Sequence, residues 1–333
     1  MRTSKLEDLN LPLFPITQVG SFPKPDYVKS AVGRLNLESR RATEEFVRFQ
    51  EEIGIDVLVD GEFYRGDMAT DYARALDLPL ADWTRSYDNR FWKKGIVDRP
   101  LERASEIQTE QFRYAQSLTK RPIKAMLTGP TTLADWNFDK YYKDREKLVF
   151  AWAEIVREEA EGLEKAGARI IQIDEPAIGE RISEVHDGLF QEGLRRVTEG
   201  LKAYTITHVC YGDFSLFYES LKDLPIDQID IELSNNLDLG LKKSKMLQLI
   251  KEDPLTNYRD VAVGIIDVRP PYRVESLDII IRRIENAIEI FGQNIWVKPD
   301  CGFRTTKDIE KASEKLIVLT RGVSRAREKV LDR

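Results

Sequence analysis

The chain of 333 residues is long enough to bury a large core without disulfide staples, which excludes the small disulfide-rich scaffolds. Hydrophobic residues make up 42% and charged residues 32%, which excludes collagen-like, low-complexity and disordered classes. The 51 basic and 57 acidic residues give a net charge of −6 and form no long basic run, which disfavours a nucleic-acid or membrane partner. Because no apolar leader or membrane-length apolar run is present, we expect a cytoplasmic protein that acts on small molecules.

Short apolar runs rich in β-branched residues alternate with longer stretches of helical periodicity. The runs predicted as strands are 15–22, 57–63, 123–128, 169–174, 204–210, 228–233, 260–266 and 294–298. The stretches predicted as helices lie near 38–53, 102–119, 143–166, 187–202, 275–291 and 306–330. Eight strands match an α/β fold of the TIM-like (β/α)₈ barrel type better than a doubly wound sheet, which usually has fewer strands.

The domain organisation follows from the same pattern. We predict a single barrel domain over residues 1–333, because no Ser/Gly-rich linker marks a boundary. Residues 1–13 are expected to form an N-terminal arm. Residues 83–100, between the second and third strands, are expected to form an inserted hairpin or lid.

Histidine and cysteine are scarce, with two of each in the chain. His208 and Cys210 are two residues apart, and residues at this spacing project from one face of a β-strand. Cys301 follows the eighth predicted strand, and Glu232 lies at the end of the sixth. Because the carboxyl ends of barrel strands meet at one face, we predict that His208, Cys210, Glu232 and Cys301 bind one Zn²⁺ ion.

This donor set also indicates a type of chemistry. Two thiolates weaken zinc as a Lewis acid toward water, whereas a third sulfur bound there is held as a thiolate near neutral pH. We therefore expect thiol alkylation rather than hydrolysis, for which histidine and carboxylate ligands are more usual. The alternative is that both cysteines are small buried apolar residues and His208 is a hydrogen-bonded core residue. The shared position of all three at strand ends favours the metal site.

A second group of strand-end residues predicts a pocket for an α-amino acid. Glu62 and Asp174 can neutralise an ammonium group, and Ser21 with the backbone N–H groups of Val19 and Gly20 can bind a carboxylate. Each residue alone is equally compatible with a helix cap or an ion pair at the rim. The prediction therefore depends on their combination.

Several segments carry a resemblance to a known family. They read QVGSFPKP at 18–25, VDGEFYRGDM at 59–68, MLTGPTTLADW at 126–136, IQIDEPAIGE at 171–180, THVCYGDF at 207–214, DIEL at 230–233, VGIIDV at 263–268 and VKPDCGF at 297–303. Over nearly its whole length the chain resembles the catalytic, C-terminal barrel of cobalamin-independent methionine synthase. The resemblance implies the same zinc ligands and assigns the residues of the amino-acid pocket to homocysteine. It also places Trp136 and Glu180 near the methyl donor, where an aromatic face can cover a flat heterocycle.

The chain also departs from this family pattern. The family's N-terminal barrel, which helps to hold the polyglutamate tail of methyltetrahydrofolate, has no counterpart, which implies a core form. The donor-binding Ser-Arg-Cys segment is not recognisable where the chain reads KKGIVDRPL at 93–101. Where the family has a histidine that protonates the departing folate nitrogen, the chain has Arg269, and arginine is a poor proton donor.

The departure at Arg269 leads to a prediction about the methyl donor. Transfer from methyltetrahydrofolate benefits from an acid at the leaving nitrogen, whereas a methyl–cobalt bond needs no proton. We therefore expect a methionine synthase that takes its methyl group from free methylcobalamin or from a corrinoid protein that docks on the barrel. The alternatives are methyltetrahydrofolate as donor and methylation of another thiol such as coenzyme M, which lacks the ammonium group that Glu62 and Asp174 would bind. A non-enzymatic zinc- or corrinoid-binding module is the alternative from a different class.

Overall fold

The computed structural model describes residues 4–29, 35–85, 91–210 and 212–332, without the side chains at positions 4, 35 and 180. Its strands are β1 Leu80–Arg85, β2 Phe91–Val97, β3 Lys124–Thr128, β4 Phe138–Asp139, β5 Ile170–Asp174, β6 Tyr204–His208, β7 Gln228–Ile231, β8 Asp260–Ile266 and β9 Ile295–Pro299. Its α-helices are α1 Asp26–Lys29, α2 Leu35–Ile53, α3 Thr70–Ala75, α4 Thr109–Ser117, α5 Pro130–Asp135, α6 Arg145–Lys165, α7 Ile182–His186, α8 Leu189–Thr198, α9 Tyr218–Leu221, α10 Ser234–Leu239, α11 Lys245–Glu252, α12 Leu277–Phe291 and α13 Ile309–Leu331. Short 3₁₀ helices span Ser4–Leu9, Pro176–Glu180, Phe214–Leu216, Leu255–Asn257 and Phe303–Thr305.

Six of the strands form a parallel sheet in the order β3-β5-β6-β7-β8-β9. Two further segments close this sheet into a ring through isolated parallel bridges, namely Ile16 with Val297, Ser21 with Gly61, and Leu58 with Ile123. Eight chain segments therefore surround one core. The prediction of an α/β barrel with parallel strands is confirmed.

The first two predicted strands are not regular strands, which corrects the prediction for 15–22 and 57–63. Side chains occupy the backbone groups that a continuous ladder would use. Gln50 bonds with both backbone groups of Val59, and Gln172 donates to the carbonyl of Val19 at 2.9 Å. The barrel closes here through a few backbone bonds and these long-range side-chain contacts.

Helix α6 shows why the outer helices pack as predicted. Its apolar stripe, which includes Leu148, Trp152 and Leu163, is fully buried against the sheet. Asp144 accepts a hydrogen bond from the backbone N–H of Lys147 at 3.1 Å and so caps the first turn. Gly167, with φ +100°, follows the helix in the left-handed conformation that ends many helices.

The amino ends of the barrel strands are closed by an apolar plug. Leu6, from the first 3₁₀ helix, packs with inward-facing residues of the barrel that include Tyr204 and Trp296, whose rings are stacked 5.9 Å apart. Lys5 donates to Asp227 at 2.8 Å. Described residues of the predicted N-terminal arm therefore pack on the barrel.

Helix α13 is bonded to the chain segments that form the first part of the barrel ring. Arg327 of α13 donates to the carbonyls of Leu13 and Phe14 at 2.7 and 3.0 Å, and it pairs with Asp56 at 2.6 Å. The carboxylate of Asp56 also accepts from the backbone N–H of Ile16 at 2.8 Å. Chain segments more than 300 residues apart are thus tied together at the amino end of the barrel.

The inserted segment 83–100 contains an antiparallel strand pair. Strands β1 and β2 pair from Leu80 with Gly95 to Arg85 with Phe91, and β4 adds to β2 in parallel. Residues 86–90 lie outside the described part. The function of this segment as a lid stays a prediction.

In the described ranges, none of the helices combines the length and the apolar character needed to cross a membrane. The cytoplasmic location expected from the sequence stays a prediction.

Candidate metal and amino-acid site

A cavity of about 570 Å³ opens at the carboxyl ends of the barrel strands. Strand-end residues from several different barrel segments line it, namely Val19, Ser21, Glu62, Asp174, His208, Cys210 and Cys301. In α/β barrels the reactive groups gather at this face, because each strand ends there and passes into a loop. The cavity is therefore the candidate site.

Three of the four predicted metal ligands meet in the wall of this cavity. A ligand atom of His208, one of Cys210 and one of Cys301 all lie within 4.8 Å of one another. His208 is the last residue of β6, whereas Cys210 lies two residues beyond it, which corrects the expectation that both stand on a strand. The backbone N–H of Glu175 donates to the carbonyl of His208 at 2.8 Å. Beyond His208, the chain that formed β6 leaves the sheet.

The two thiols form a coupled pair. Cys210 donates a hydrogen bond to Cys301, and this bond together with the nearby imidazole of His208 holds the pKa of Cys301 well below its usual range. The same bond and burial raise the pKa of Cys210 well above its usual range. The site therefore favours a thiolate at Cys301, and a thiolate is the form of cysteine that binds metals.

A buried ionic network orients the imidazole. Nδ1 of His208 bonds with Asp230 at 2.9 Å, and Lys298 pairs with the same carboxylate. Burial raises the pKa of Asp230, but Lys298 and His208 outweigh this effect and lower it. Burial likewise lowers the pKa of His208, but Asp230 raises it to about 10. Within the described chain Nε2 of His208 is buried and has no hydrogen-bond partner, so this nitrogen is left for a ligand.

Glu232, the fourth predicted ligand, is half-buried and lies just beyond β7. It is not among the residues whose ligand atoms lie within 4.8 Å of one another. It is nevertheless close enough to be affected electrostatically, because burial and the neighbouring Cys301 and Asp300 raise its pKa to about 8. A cation that approaches Glu232 would favour the ionised form of this carboxyl group.

The predicted ammonium-binding carboxylates lie side by side in the same cavity. Glu62 has φ +54°, an uncommon value for a residue with a side chain, and it pairs with the buried Arg65 at 3.2 Å. Asp174 ends β5 and accepts from Gln172 at 2.6 Å. Burial, with the like charge of Glu62, raises the pKa of Asp174 to about 6. A bound cation would relieve this repulsion.

The carboxylate-binding side of the predicted amino-acid pocket is built from close backbone contacts. A Cβ atom at Gly20 would lie 2.5 Å from Oε1 of Glu62, so only glycine lets the chain pass so close to this side chain. The backbone carbonyl of Ser21 accepts from Phe303 at 2.8 Å. A Cβ atom at Gly302 would lie 2.3 Å from Oγ of Ser21. The structure therefore brings Val19, Gly20 and Ser21 beside Glu62.

Glu175, which directly follows Asp174, has a structural part at the cavity edge. Its buried carboxyl accepts hydrogen bonds from the backbone N–H groups of Thr131 and Thr132 at 3.0 and 2.8 Å, at the start of α5. Burial raises its pKa to about 7. Glu175 thus holds the start of α5, the helix that directly precedes Trp136.

Aromatic residues form another part of the cavity wall. Trp136, assigned to the donor side, packs against Trp92 with ring centroids 5.1 Å apart. Trp92 and its neighbour Phe91 belong to β2 and also line the cavity. The backbone of Glu180, the other residue assigned to the donor side, ends a 3₁₀ helix, and its side chain lies outside the described residues.

Arg269 is not among the residues that line the cavity. Its guanidinium pairs with Asp267 at 2.9 Å and lies 3.8 Å from Asp300. These contacts hold it among carboxylates beside the site. Its identity therefore says little about the methyl donor, contrary to the weight that the sequence interpretation placed on it.

Several cavity residues were not predicted from the sequence. They include Trp92 and Phe91 on β2, and the basic residues Lys24, Arg304 and Lys307. A signal for the basic residues is present, because Lys24 lies in the QVGSFPKP segment and Arg304 follows VKPDCGF. Trp92 carries no such signal, because its place depends on how the inserted segment folds back onto the barrel.

The fold and the cavity define an α/β barrel that gathers thiols, an imidazole and paired carboxylates at the carboxyl ends of its strands. A family model described as "Cobalamin-independent synthase, Catalytic domain" matches residues 14–322. The chain belongs to this family, which confirms the family predicted from the sequence.

Two relatives carry the name 5-methyltetrahydropteroyltriglutamate–homocysteine methyltransferase. The relative from Flavobacterium johnsoniae is 33% identical over 98% of this chain and 44% of its own length. The relative from Bacillus licheniformis is 32% identical over 91% of this chain and 42% of its own length. The chain thus spans less than half the length of the curated relatives it matches.

Solved structures show the same architecture. A B12-independent methionine synthase from Shewanella sp. W3-18-1, in complex with selenomethionine, superposes with a TM-score of 0.84 at 28% identity, covering 97% of this chain and 100% of that one. A protein described as a putative B12-independent methionine synthase from Listeria monocytogenes gives a TM-score of 0.74 at 19% identity, covering 95% and 99% of the two chains, and supports the fold alone.

These comparisons correct the predicted methyl donor. The names of both curated relatives specify a methyltetrahydropteroyltriglutamate, and the family is described as cobalamin-independent. The predictions of a corrinoid donor and of a corrinoid protein as docking partner are therefore wrong. The error arose because the absence of one histidine was taken to decide the donor. Arg269, which stands in place of this histidine, does not line the cavity.

Proposed function

We propose that the chain is a zinc-dependent homocysteine methyltransferase that makes methionine with a methyltetrahydropteroyltriglutamate as donor. One observation carries the proposal: His208, Cys210 and Cys301 meet within 4.8 Å in the wall of a cavity that also contains Glu62 and Asp174. The donor class comes from the names of the relatives. Glu62 and Asp174 favour an amino-acid thiol over coenzyme M, because coenzyme M has no ammonium group for them to bind.

The residues present fit a zinc ion. The buried Nε2 of His208 has no partner in the described chain, and the donor set of one imidazole and two thiols is typical of zinc. Glu232 would complete the set as a carboxylate ligand. When bound, a zinc ion with these ligands holds a further thiol as a nucleophilic thiolate near neutral pH.

The remaining groups would bind and orient homocysteine. Glu62 and Asp174 would receive its ammonium group, which removes the repulsion between their own charges. Ser21 and the backbone of Val19 and Gly20 would receive its carboxylate. Binding at both ends of the amino acid fixes the direction of the thiol, which lowers the entropic part of the barrier to transfer.

On the donor side, Trp136 and Trp92 offer flat apolar faces for a pterin ring. Because Phe91 is 61% exposed and still lines the cavity, we include β1 and β2 in the proposal as a lid over the bound donor. The proposal also treats residues 1–333 as one barrel domain with residues 1–13 as its arm. The contacts of Lys5 and Leu6 with the barrel support it.

The direct test is turnover. Purified protein loaded with zinc is incubated with homocysteine and methyltetrahydropteroyltriglutamate, and methionine is measured. We expect methionine formation that depends on both substrates, and its absence from zinc-loaded, folded protein would overturn the proposal.

A second measurement tests the metal site independently of the donor. Metal analysis is expected to give one zinc ion per wild-type chain and a strongly reduced content for Cys301→Ser. Ser215→Ala is the control, because Ser215 is half-buried in the short 3₁₀ helix after β6 and is not a cavity residue. Unchanged zinc content in Cys301→Ser would contradict the ligand set.

A further inference from the structure

Lysine side chains lie inside the barrel, below the cavity. Lys124 of β3 and Lys298 of β9 are fully buried, and neither lines the cavity. Lys298 pairs with Asp230 and so belongs to the network that orients His208. Lys124 forms no ion pair with a carboxylate in the described part of the chain, so its place in the barrel interior needs another explanation.

The contacts of Lys124 give the side-chain amide of Gln172 a single orientation. Nζ of Lys124 donates to Oε1 of Gln172 and to the backbone carbonyl of Gln18. Nε2 of Gln172 donates to the carbonyl of Val19 at 2.9 Å and to Oδ1 of Asp174 at 2.6 Å. An ammonium group can only donate, whereas a carbonyl and an ionised carboxylate can only accept. A reversed amide would face like groups on both sides, so Lys124 fixes the direction of these hydrogen bonds.

The strand register places these groups in a line along the barrel interior. Ile170, Gln172 and Asp174 project from one face of β5, because alternate residues of a strand share a face. Lys124 stands opposite Ile170 in the neighbouring strand. The line therefore runs from Lys124 through Gln172 to Asp174, toward the carboxyl ends of the strands, and of these three residues Asp174 alone lines the cavity. Lys124 and Gln172 can act on a bound molecule through the residues that they hold, not by contact.

A buried lysine without a directly paired carboxylate is unfavourable for the fold. Burial lowers the pKa of Lys124 to about 8, although the charges of Asp230 and Asp174 act in the opposite direction. An apolar side chain of similar length would fill the same space without this cost. The contacts therefore favour a role for the donors of Lys124 at the cavity over a role in packing.

We propose that Lys124 and Gln172 are positioning residues that aim the carboxylate of Asp174 at the ammonium group of the amino-acid substrate. Because Gln172 holds Oδ1 of Asp174, the carboxylate is kept from rotating, and its direction is set before the substrate arrives. Preorganisation of this kind lowers the entropic cost of binding. The inference rests on the proposed function and adds to it two residues that do not touch the substrate.

The test compares two thiols that differ in the ammonium group. They are homocysteine and γ-mercaptobutyrate, which keeps the thiol and the carboxylate but has no ammonium. We call the ratio of their kcat/KM values in methyl transfer the ammonium preference, and any loss of zinc or of carboxylate binding affects both thiols and cancels. For the wild type we expect an ammonium preference of at least about a hundredfold, since Glu62 and Asp174 each contribute about tenfold.

Substitutions at both positioning residues are expected to lower this preference. Lys124→Met and Gln172→Leu should each lower it about fivefold, mainly by raising the KM for homocysteine, since one hydrogen bond has about this net worth. Gln172→Glu keeps an acceptor for Lys124 but has no donor for Asp174, so it should show the same loss if Gln172→Leu does not fold. Wild-type ammonium preference in active Lys124→Met or Gln172→Glu would show that the inference is wrong, although the proposed function would stand.

A second background shows whether Lys124 acts through Asp174. Asp174→Asn alone is expected to lower the ammonium preference about tenfold. In this background Lys124→Met should change the remaining preference by less than about twofold, because the carboxylate that it would aim is absent. An equal loss in both backgrounds would show that Lys124 acts independently of Asp174 and would overturn the inference.

Lys315→Met is the matched control for the loss of a buried lysine. Lys315 of α13 is fully buried, donates to the carbonyl of Asp267 at 2.6 Å and pairs with Glu275 at 3.1 Å, and it is not a cavity residue. Its substitution is expected to lower the free energy of unfolding and to keep the ammonium preference. If Lys315→Met lost as much of this preference as Lys124→Met, the effect would be a general consequence of destabilisation, and the inference would fail.

A binding experiment keeps the inference testable if no methyl transfer is observed. Homocysteine and γ-mercaptobutyrate are each titrated calorimetrically into zinc-loaded protein, and the ratio of their Kd values is compared between variants. We expect this ratio to fall about fivefold from wild type to Lys124→Met and to Gln172→Glu. A wild type that does not distinguish the two thiols, or variants with the wild-type ratio, would overturn the inference on its own evidence.

Discussion

The two ends of the barrel use similar residues in opposite ways. At the amino end, charged groups have complementary partners: Asp227 accepts from Lys5 and from both the backbone and the hydroxyl of Thr205, all within 2.9 Å. At the carboxyl end, Asp230 also has complementary partners in His208 and Lys298, but the cavity beside it holds Asp174 next to the like charge of Glu62. The same strands connect both ends.

The difference indicates where the chain stabilises its fold and where it prepares binding. A carboxylate with complete partners stabilises the native state, whereas one beside a like charge destabilises it until a cation binds. We expect the stabilising contacts at the amino end to offset the unfavourable repulsion between Asp174 and Glu62 in the cavity. Four experiments test this division, from the largest expected effect to the smallest.

The two histidines give the strongest contrast. His208→Ala removes the imidazole from the thiol pair and is expected to lower zinc content and to reduce methyl transfer by at least about a hundredfold. His186→Ala changes the only other histidine, which is exposed at the end of α7, and is expected to leave both unchanged. Metal analysis and turnover decide, and a fully active His208→Ala would remove the basis for the metal site.

The buried carboxyl of Glu175 predicts a dependence of stability on pH. Its pKa is raised by burial from 4.5 to about 7, so between these values the unfolded state loses a proton that the folded state keeps. Wild-type stability should therefore fall, relative to Glu175→Gln, by up to roughly 3 kcal/mol as the pH rises through this window. Urea unfolding at a series of pH values measures this difference.

The control for this measurement is Glu289→Gln, on the exposed face of α12. Its stability should follow that of the wild type across the same pH range. A difference between wild type and Glu175→Gln that does not vary with pH would show that Glu175 is ionised in the folded protein.

Asp174 and Asp227 form a matched pair from opposite ends of the barrel. Asp174→Asn is expected to raise the KM for homocysteine about tenfold without loss of stability, because it removes a repelled charge. Asp227→Ala is expected to lower the free energy of unfolding by about 2 kcal/mol, because it leaves buried donors of Thr205 unpaired, and to leave the KM unchanged. If each variant showed the effect expected for the other, the division between the two ends would be wrong.

The smallest effect concerns the β1–β2 strand pair. Phe91→Ala is expected to raise the KM for the donor about threefold, because an aromatic contact is worth about 0.5–1.5 kcal/mol. Trp83→Ala, on the paired strand and 66% exposed, is the control, because Trp83 is not among the cavity residues. Equal effects of the two substitutions would argue against a specific contact between Phe91 and the donor.

The sequence permitted much of the barrel and of the site to be predicted, for identifiable physical reasons. Buried parallel strands are continuous apolar runs, so their ends could be located within a few residues. His208, Cys210 and Cys301 stood out because such residues are scarce and each follows a strand. Their convergence then follows from the geometry of parallel strands alone.

Other features depend on contacts that no local pattern records. The irregular first two strands result from side chains such as Gln50 and Gln172, which reach backbone groups far along the chain. Trp92 lines the cavity because of the way β2 packs on the barrel. Arg269 led to a wrong donor, because a residue type was interpreted without knowing that its guanidinium is engaged with Asp267.

The contacts of Arg327 have a consequence for the order of events during folding. This residue of the last helix bonds with the carbonyls of Leu13 and Phe14, and Val297 bridges Ile16. The ring cannot be completed until the chain has been synthesised through Arg327, so the edges of the earlier segments stay unpaired until then. Removal of α13 should therefore yield an open, aggregation-prone sheet rather than a smaller version of the native domain.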